Sequence, residues 1–201
     1  MHFLGAVFYE EKNLDSARFW WTKVAEKGST EAMTQLGIID HEAGDLKSAN
    51  AWWRRAAARG DAEAMFNIGV LAHDEGHLDE ATIWWKRAAK EGHAKALFNL
   101  GLAARKNGNL TYSHVLWERA AKNGDDSAML VLGVIAFKSG NLSEARIRWK
   151  AAAKAGNTEA QYLIGNDNYE RGEPKTARNC WERAAQAGHT GGHVQPRYPS
   201  H

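Results

Sequence analysis

The segment ANAWWRRAAARGDAEAMFNIG, residues 49–69, decides the fold of this chain. Its Trp, Ala-Ala, Gly, Ala and Ile-Gly positions return every 32 residues, six times without an insertion. The Leu/Ile-Gly pair, for example, begins at Leu4, Leu36, Ile68, Leu100, Leu132 and Ile164. A fixed period of about 20 to 50 residues is typical of solenoids, in which each repeat buries its apolar face only against its neighbours. The sequence therefore predicts one continuous array of repeats.

Within one repeat, the apolar spacing predicts two helices. Residues 30–43 carry apolar side chains at intervals of three and four, which is a helical stripe. Gly44 tolerates the left-handed backbone that ends a helix, and Asp45 is a good N-cap for the next one. The second helix is predicted over about residues 46–59, with Trp53 on its apolar face. We therefore predict an all-α chain of six helix-turn-helix repeats over residues 1–189, with about twelve helices.

Composition and charge exclude several classes of function. The 201 residues carry 26 basic and 24 acidic side chains, a net charge of +2 that gives little field for binding nucleic acid. The single Cys180 has no cysteine partner, which favours a reducing, cytoplasmic setting. The sequence shows no secretory signal and no apolar stretch of about 18 residues, so no membrane association is expected.

The repeat pattern A-x-x-W-W-x-x-A-A-x-x-G-x-x-x-A-M-x-x-I-G, from Ala49 to Gly69, resembles Sel1-like repeats, a branch of the tetratricopeptide repeat superfamily. Copies of it cover residues 1–189. The resemblance implies a right-handed helical solenoid that binds other proteins or peptides, usually as an adaptor. The turn between the paired helices is shorter than in the usual Sel1 pattern, and the repeats lack the cysteine pair of several secreted relatives.

Columns that vary among the six copies are free to serve a ligand, because stacking requires only the constant ones. The column before the Leu/Ile-Gly pair resembles the position from which tetratricopeptide repeats grip a bound peptide backbone, and it reads Gln35, Asn67 and Asn99 in repeats 2 to 4. These carboxamides offer donors and acceptors to an extended main chain. The neighbouring Thr34, Phe66 and Phe98 are expected to line the same groove. Alternatively, Asn67 and Asn99 only bond neighbouring helices.

Two further columns change character along the array. One reads Tyr9, His41, His73, Arg105, Phe137 and Tyr169, and the next reads Glu10, Glu42, Asp74, Lys106, Lys138 and Glu170. If both columns line the groove, Arg105, Lys106 and Lys138 would orient a ligand that has an acidic end. The alternative is a set of solvated charges without a partner.

No catalytic constellation, cofactor motif or metal site is expected. His41, His73 and His77 share a suggestive spacing, but His77 occupies an N-cap position whose side chain points toward solvent. The doubled aromatics Trp20-Trp21, Trp52-Trp53 and Trp84-Trp85 are expected to pack in the core rather than to stack on bases, with the first member of each pair at the edge of the buried stripe.

The two ends depart from the pattern. Met1 begins inside the first helix of a repeat, so we expect either a piece of a longer chain or self-association through an uncapped N-terminal end near Phe3. Lys12 stands where the other five turns within repeats have Gly, which adds strain if its backbone is left-handed. Residues 190–201 leave the period and are expected to form a flexible tail.

These observations favour a cytoplasmic interaction scaffold without catalysis, which holds an extended peptide or protein segment in the concave groove of repeats 2 to 4. The alternative is a regulatory sensor solenoid that encloses a small peptide or metabolite and changes curvature. The two hypotheses differ in whether binding compacts the protein.

Overall fold

A computed structural model describes residues 2–190, and in that range it contains twelve α-helices and no strand. The helices are α1 His2–Glu10, α2 Leu14–Glu26, α3 Thr30–Glu42, α4 Leu46–Ala57, α5 Ala62–Asp74, α6 Leu78–Lys90, α7 Ala94–Lys106, α8 Leu110–Lys122, α9 Asp126–Lys138, α10 Leu142–Lys154, α11 Thr158–Glu170 and α12 Pro174–Gln186. Each 32-residue repeat holds one helix pair, as its period predicts. The flexible tail predicted for residues 190–201 lies, apart from Thr190, outside the described residues.

The chain divides into two compact units, residues 1–100 and 101–201. In the first unit, the second helix of one repeat packs on the first helix of the next, α2 on α3 and α4 on α5. The second unit repeats this arrangement, with α8 on α9 and α10 on α11. Each helix pair therefore buries its apolar face partly against its partner and partly against the neighbouring repeat.

The turn between paired helices forms as its residue types predict. Gly44 has φ +82°, in the left-handed region, and the Asp45 carboxylate accepts the amide hydrogen of Ser48 to begin α4. Asn141 caps α10 in the same way by accepting the amide hydrogen of Glu144. The carboxylate of Glu144 accepts a bond from the Arg148 guanidinium at 2.6 Å, one turn further along α10.

An indole lies on the first-helix glycine in every repeat, and it is buried in the first five. A Cβ atom added to Gly37 would overlap Nε1 and Cδ1 of Trp53, and Trp53 is only 3% exposed. The same clash recurs at Gly5, Gly69, Gly101, Gly133 and Gly165, each against the Trp of its own repeat. The missing side chain of Gly37 therefore leaves room for the indole of Trp53.

The first member of each Trp pair lies at the edge of the core, as predicted. Trp52 and Trp84 are partly buried and pack against the core of the first unit. The guanidinium of Arg55 lies 4.3 Å from the ring centroid of Trp52, and that of Arg87 lies 4.6 Å from Trp84. These cation–π contacts cover the outer edge of each indole and hold it in place.

An ion pair that the sequence pattern did not reveal links α10 to α11. Asp167, only 8% exposed, lies at a position that holds an apolar residue in repeats 2 to 5. Its carboxylate accepts two bonds from Arg146, one from Nε at 2.8 Å and one from Nη2 at 2.9 Å. Because the carboxylate is bonded to a guanidinium, its burial does not leave an uncompensated charge.

Replacing Lys12 with Gly should stabilise the protein. Among the described residues, Lys12 is the one non-glycine with positive φ, at 58°. Left-handed backbone costs an L-residue about 1–2 kcal/mol, so Lys12→Gly should raise the free energy of unfolding in urea by about 1 kcal/mol. Lys27→Gly, at a helix end with φ −82°, is the matched control and should give no gain. Equal effects of the two substitutions would contradict the strain at Lys12.

Candidate functional site

Three carboxamides lie at one repeat position in the first compact unit. Gln35 on α3, Asn67 on α5 and Asn99 on α7 are each partly exposed, and we refer to them as the carboxamide row. One helical turn after the first two lie Ile38 and Val70, which are also partly exposed. The row thus combines hydrogen-bonding groups with apolar surface on the first helices.

The side chains of the carboxamide row form no hydrogen bond with other described residues. The Nδ2 atom of Asn67 is buried and has no partner among them. Among the described residues, therefore, the side chain of Asn67 does not bond a neighbouring helix, as the alternative interpretation required. An unpaired buried amide costs about 1–3 kcal/mol, a cost that a bound hydrogen-bond acceptor would remove.

The column beside the carboxamide row is more buried than the sequence suggests. Thr34 is 2% exposed, and its hydroxyl donates to the Asp61 carboxylate at 3.2 Å. The prediction that Thr34 lines an accessible groove is therefore wrong, because its side chain is used between repeats. Phe66 is partly exposed and stacks on the His93 ring, with centroids 4.6 Å apart, while Phe98 is also partly exposed.

His93 joins the start of α7 to α5. Its Nδ1 atom accepts the amide hydrogen of Ala96 at 3.2 Å, so the hydrogen is assigned to Nε2, which donates to the Glu63 carboxylate at 3.0 Å. This hydrogen bond lowers the pKa of Glu63 below its ordinary value of 4.5. Together with the stacking on Phe66, these contacts fix the first turn of α7 and so position Asn99.

The sequence signal for this contact was present but missed. His93 occupies the N-cap position before a first helix, where earlier repeats have Ser29 and Asp61. His189 holds the corresponding position one period after Asn157, and it pairs with Glu159 at 2.6 Å and stacks on Tyr162 at 4.8 Å. In both cases the histidine follows an aromatic residue by 27 positions and a Glu by 30 positions, and this spacing is the sequence signal for the contact.

The column of mixed aromatic and basic residues covers the buried indoles. The rings of His41 and His73 lie 5.6 Å from Trp53 and Trp85, measured between centroids, while both histidines remain exposed. Arg105 is likewise exposed, with its guanidinium 6.0 Å from the ring centroid of Trp117. This packing role accounts for the column in the folded chain, and contact of His41, His73 and Arg105 with a ligand stays a prediction.

The charged column is exposed in both compact units. In the first, Glu42 accepts a bond from the Tyr9 hydroxyl at 2.7 Å, and this bond raises the pKa of Tyr9 above its ordinary value of 10.0. In the second, Lys106 and Lys138 are the exposed last residues of α7 and α9. Their predicted contact with an acidic ligand stays a prediction.

Residues 2–190 contain no group of three or more His, Cys, Asp or Glu side chains placed to hold a metal ion. His77 is exposed, as predicted from its N-cap position, and its side chain makes no cap bond at the start of α6. Within the described helices, none has the length and apolar character needed to cross a membrane.

The stacked helix pairs define an α-helical repeat protein of the solenoid class. A family model described as Sel1 repeat matches residues 1–29, 30–61, 62–93 and 158–189, and one described as Tetratricopeptide repeat matches residues 98–161. Because the Sel1 matches cover more than half of the sequence, the chain belongs to the Sel1 repeat family. A search of curated protein sequences gives no match.

Solved structures share this fold. A Sel1 repeat protein from Oxalobacter formigenes is 24% identical, with a TM-score of 0.73 over 94% of this chain and 83% of that one. A protective antigen of uropathogenic Escherichia coli with an SLR fold is 24% identical, with a TM-score of 0.69 over 95% of this chain. The chain spans only 46% of that antigen's length. Pseudomonas aeruginosa pilF is 18% identical, with a TM-score of 0.66 over 92% of this chain and 89% of that one.

Substitutions at His93 should separate its capping role from its stacking role. His93→Ala removes the cap, the bond to Glu63 and the stacking on Phe66, so the free energy of unfolding should fall by about 2 kcal/mol. His93→Asn keeps a capping side chain, as Asn157 does at the same position two repeats later. Its free energy of unfolding should fall by only about 1 kcal/mol. Urea unfolding measures both variants. Equal losses would mean that the cap contributes nothing.

Proposed function

We propose that this chain is an interaction scaffold that binds an extended protein segment along the carboxamide row, without catalysing a reaction. Sel1 and tetratricopeptide repeat proteins generally act as protein-interaction scaffolds. The observation that carries the finer proposal is the unpaired Nδ2 of Asn67 in a row of carboxamides that bond no other described residue. The main-chain carbonyl and N–H groups of an extended segment are the partners that such side chains lack.

A comparison among the repeats supports this proposal. The position of the carboxamide row is occupied by Val131 and Leu163 in repeats 5 and 6. Both are partly buried, and Leu163 packs beside the core of the second compact unit. Because the fold accepts aliphatic side chains at this position, packing does not require Asn67 or Asn99.

Apolar surface beside the row adds to the proposed contact. Ile38, Val70 and Phe66 are partly exposed on the same first helices and would contact side chains of the bound segment. The cytoplasmic setting expected from the sequence remains part of this proposal.

Replacing Asn67 and Asn99 with leucine should weaken binding without loss of stability. A peptide selected from a random library against the immobilised protein should bind with a Kd in the micromolar range, about −8 kcal/mol. In the double variant Asn67→Leu, Asn99→Leu the Kd should rise at least about tenfold, since each lost hydrogen bond contributes about 1 kcal/mol. The free energy of unfolding should be unchanged or higher, because the unpaired Nδ2 is removed. Fluorescence anisotropy and urea unfolding measure the two quantities.

The matched control is Asn179→Leu, Gln186→Leu, which removes two exposed carboxamides from α12. Its affinity for the selected peptide should equal that of the wild type. If the peptide binds all three proteins equally, the carboxamide row is not the binding surface. A marked loss of stability in the Asn67→Leu, Asn99→Leu variant would show instead that these side chains have a structural role.

A further inference from the structure

The second helices of the second compact unit carry an exposed apolar row. Val115 on α8 and Ile147 on α10 occupy the same repeat position and are 49% and 62% exposed. In the first compact unit, the same position holds Phe19 and Ile83, which are 53% and 52% exposed. Since the core buries none of these four side chains, stacking of the repeats does not explain their apolar character.

An ion-pair network holds α8 and α10 side by side. Arg148 on α10 donates to Glu118 on α8 through Nη2 at 2.9 Å and Nη1 at 3.1 Å, and its Nε bonds Glu144 at 2.6 Å. Val115 and Ile147 occupy the same position on these two ion-paired helices of adjacent repeats. We call Val115 and Ile147, with the face of α8 and α10 around them, the outer apolar row.

The exposed charge on the second helices of this unit is mostly positive, and the partly buried Glu118 and Glu144 beside the row are paired with Arg148. The exposed charged side chains of α8, α10 and α12 include seven basic residues and one acidic residue. The basic ones are Arg119, Lys122, Lys150, Lys154, Lys175, Arg178 and Arg183, and the acidic one is Glu182. The helix dipole favours the last-turn residues Arg119, Lys122, Lys154 and Arg183 but does not account for Lys150, Lys175 and Arg178.

We propose that the outer apolar row binds an acidic amphipathic helix of a partner protein. Residues seven apart on a helix share one face, about 10.5 Å apart along its axis, so one helix can present two apolar side chains to neighbouring repeats. Two apolar residues of such a helix contact Val115 and Ile147, and carboxylates on its flanks pair with Lys122 and Lys154. This surface includes no member of the carboxamide row, so it is independent of the function proposed above.

The probe is a labelled synthetic helical peptide with leucines seven residues apart and glutamates on both flanks of the leucine face. Its binding to the full chain is measured by fluorescence anisotropy and compared with a probe in which lysine replaces each glutamate. The acidic probe should bind with a Kd at least about tenfold lower than that of the basic probe. The double variant Lys122→Glu, Lys154→Glu and the single variant Ile147→Ser should each raise the Kd for the acidic probe at least about tenfold.

Two matched controls distinguish this surface from others on the chain. Lys106→Glu, Lys138→Glu makes the same charge change at the last residues of α7 and α9, and Ile83→Ser changes the equivalent exposed residue of the first compact unit. Both should bind the acidic probe as the wild type does. The proposal is overturned if the control variants lose as much affinity or if both probes bind equally. It is also overturned if the chain binds phosphatidylserine–phosphatidylcholine vesicles and not the acidic probe.

Discussion

The fold depends on one steric constraint, the contact between a buried indole and the glycine beneath it. In each repeat the Trp of the second helix lies where a Cβ of the first-helix Gly would otherwise be. An Ala at that position would overlap the indole, and a smaller aromatic or aliphatic residue in place of Trp would leave a cavity. Gly37 and Trp53 therefore form one unit, and their separation of 16 residues recurs in all six repeats.

Because the packing is carried by a few constant columns, much of the fold could be predicted from the sequence. The 32-residue period predicted the helix pairs, and Gly44 with Asp45 predicted the turn between them. Individual side-chain contacts were harder to predict, because the periodicity shows which face of a helix is buried but not which side chain it meets. The ion pair between Arg146 and Asp167, for example, lies at a position that is apolar in repeats 2 to 5.

The candidate site was harder to predict for the same reason. The three carboxamides were recognised from their column, and their partial exposure agrees with a surface role. Thr34 was misjudged because its partner, Asp61, is 27 residues away in sequence and becomes a neighbour only when repeats stack. His93 was overlooked because its capping, stacking and ion-pair contacts likewise join separate repeats.

The structure thus separates the residues that hold the repeats together from those that can vary. Asn67 and Ile147 both occupy positions that the stack does not constrain, on the first and second helices respectively. In one case a polar amide is left without a partner, and in the other an apolar side chain is left in solvent. The unpaired amide costs stability in the isolated chain, and both arrangements are expected of a surface that acquires a partner.

A double-mutant cycle at Gly69 and Trp85, measured by urea unfolding, tests the central constraint most directly. Alone, Gly69→Ala should lower the free energy of unfolding by about 1–3 kcal/mol, because its methyl group overlaps the indole of Trp85. In a Trp85→Leu background the same substitution should be neutral or stabilising by up to about 1 kcal/mol, since Ala favours the helix more than Gly. If Gly69→Ala costs the same in both backgrounds, the glycine is not there to admit the indole.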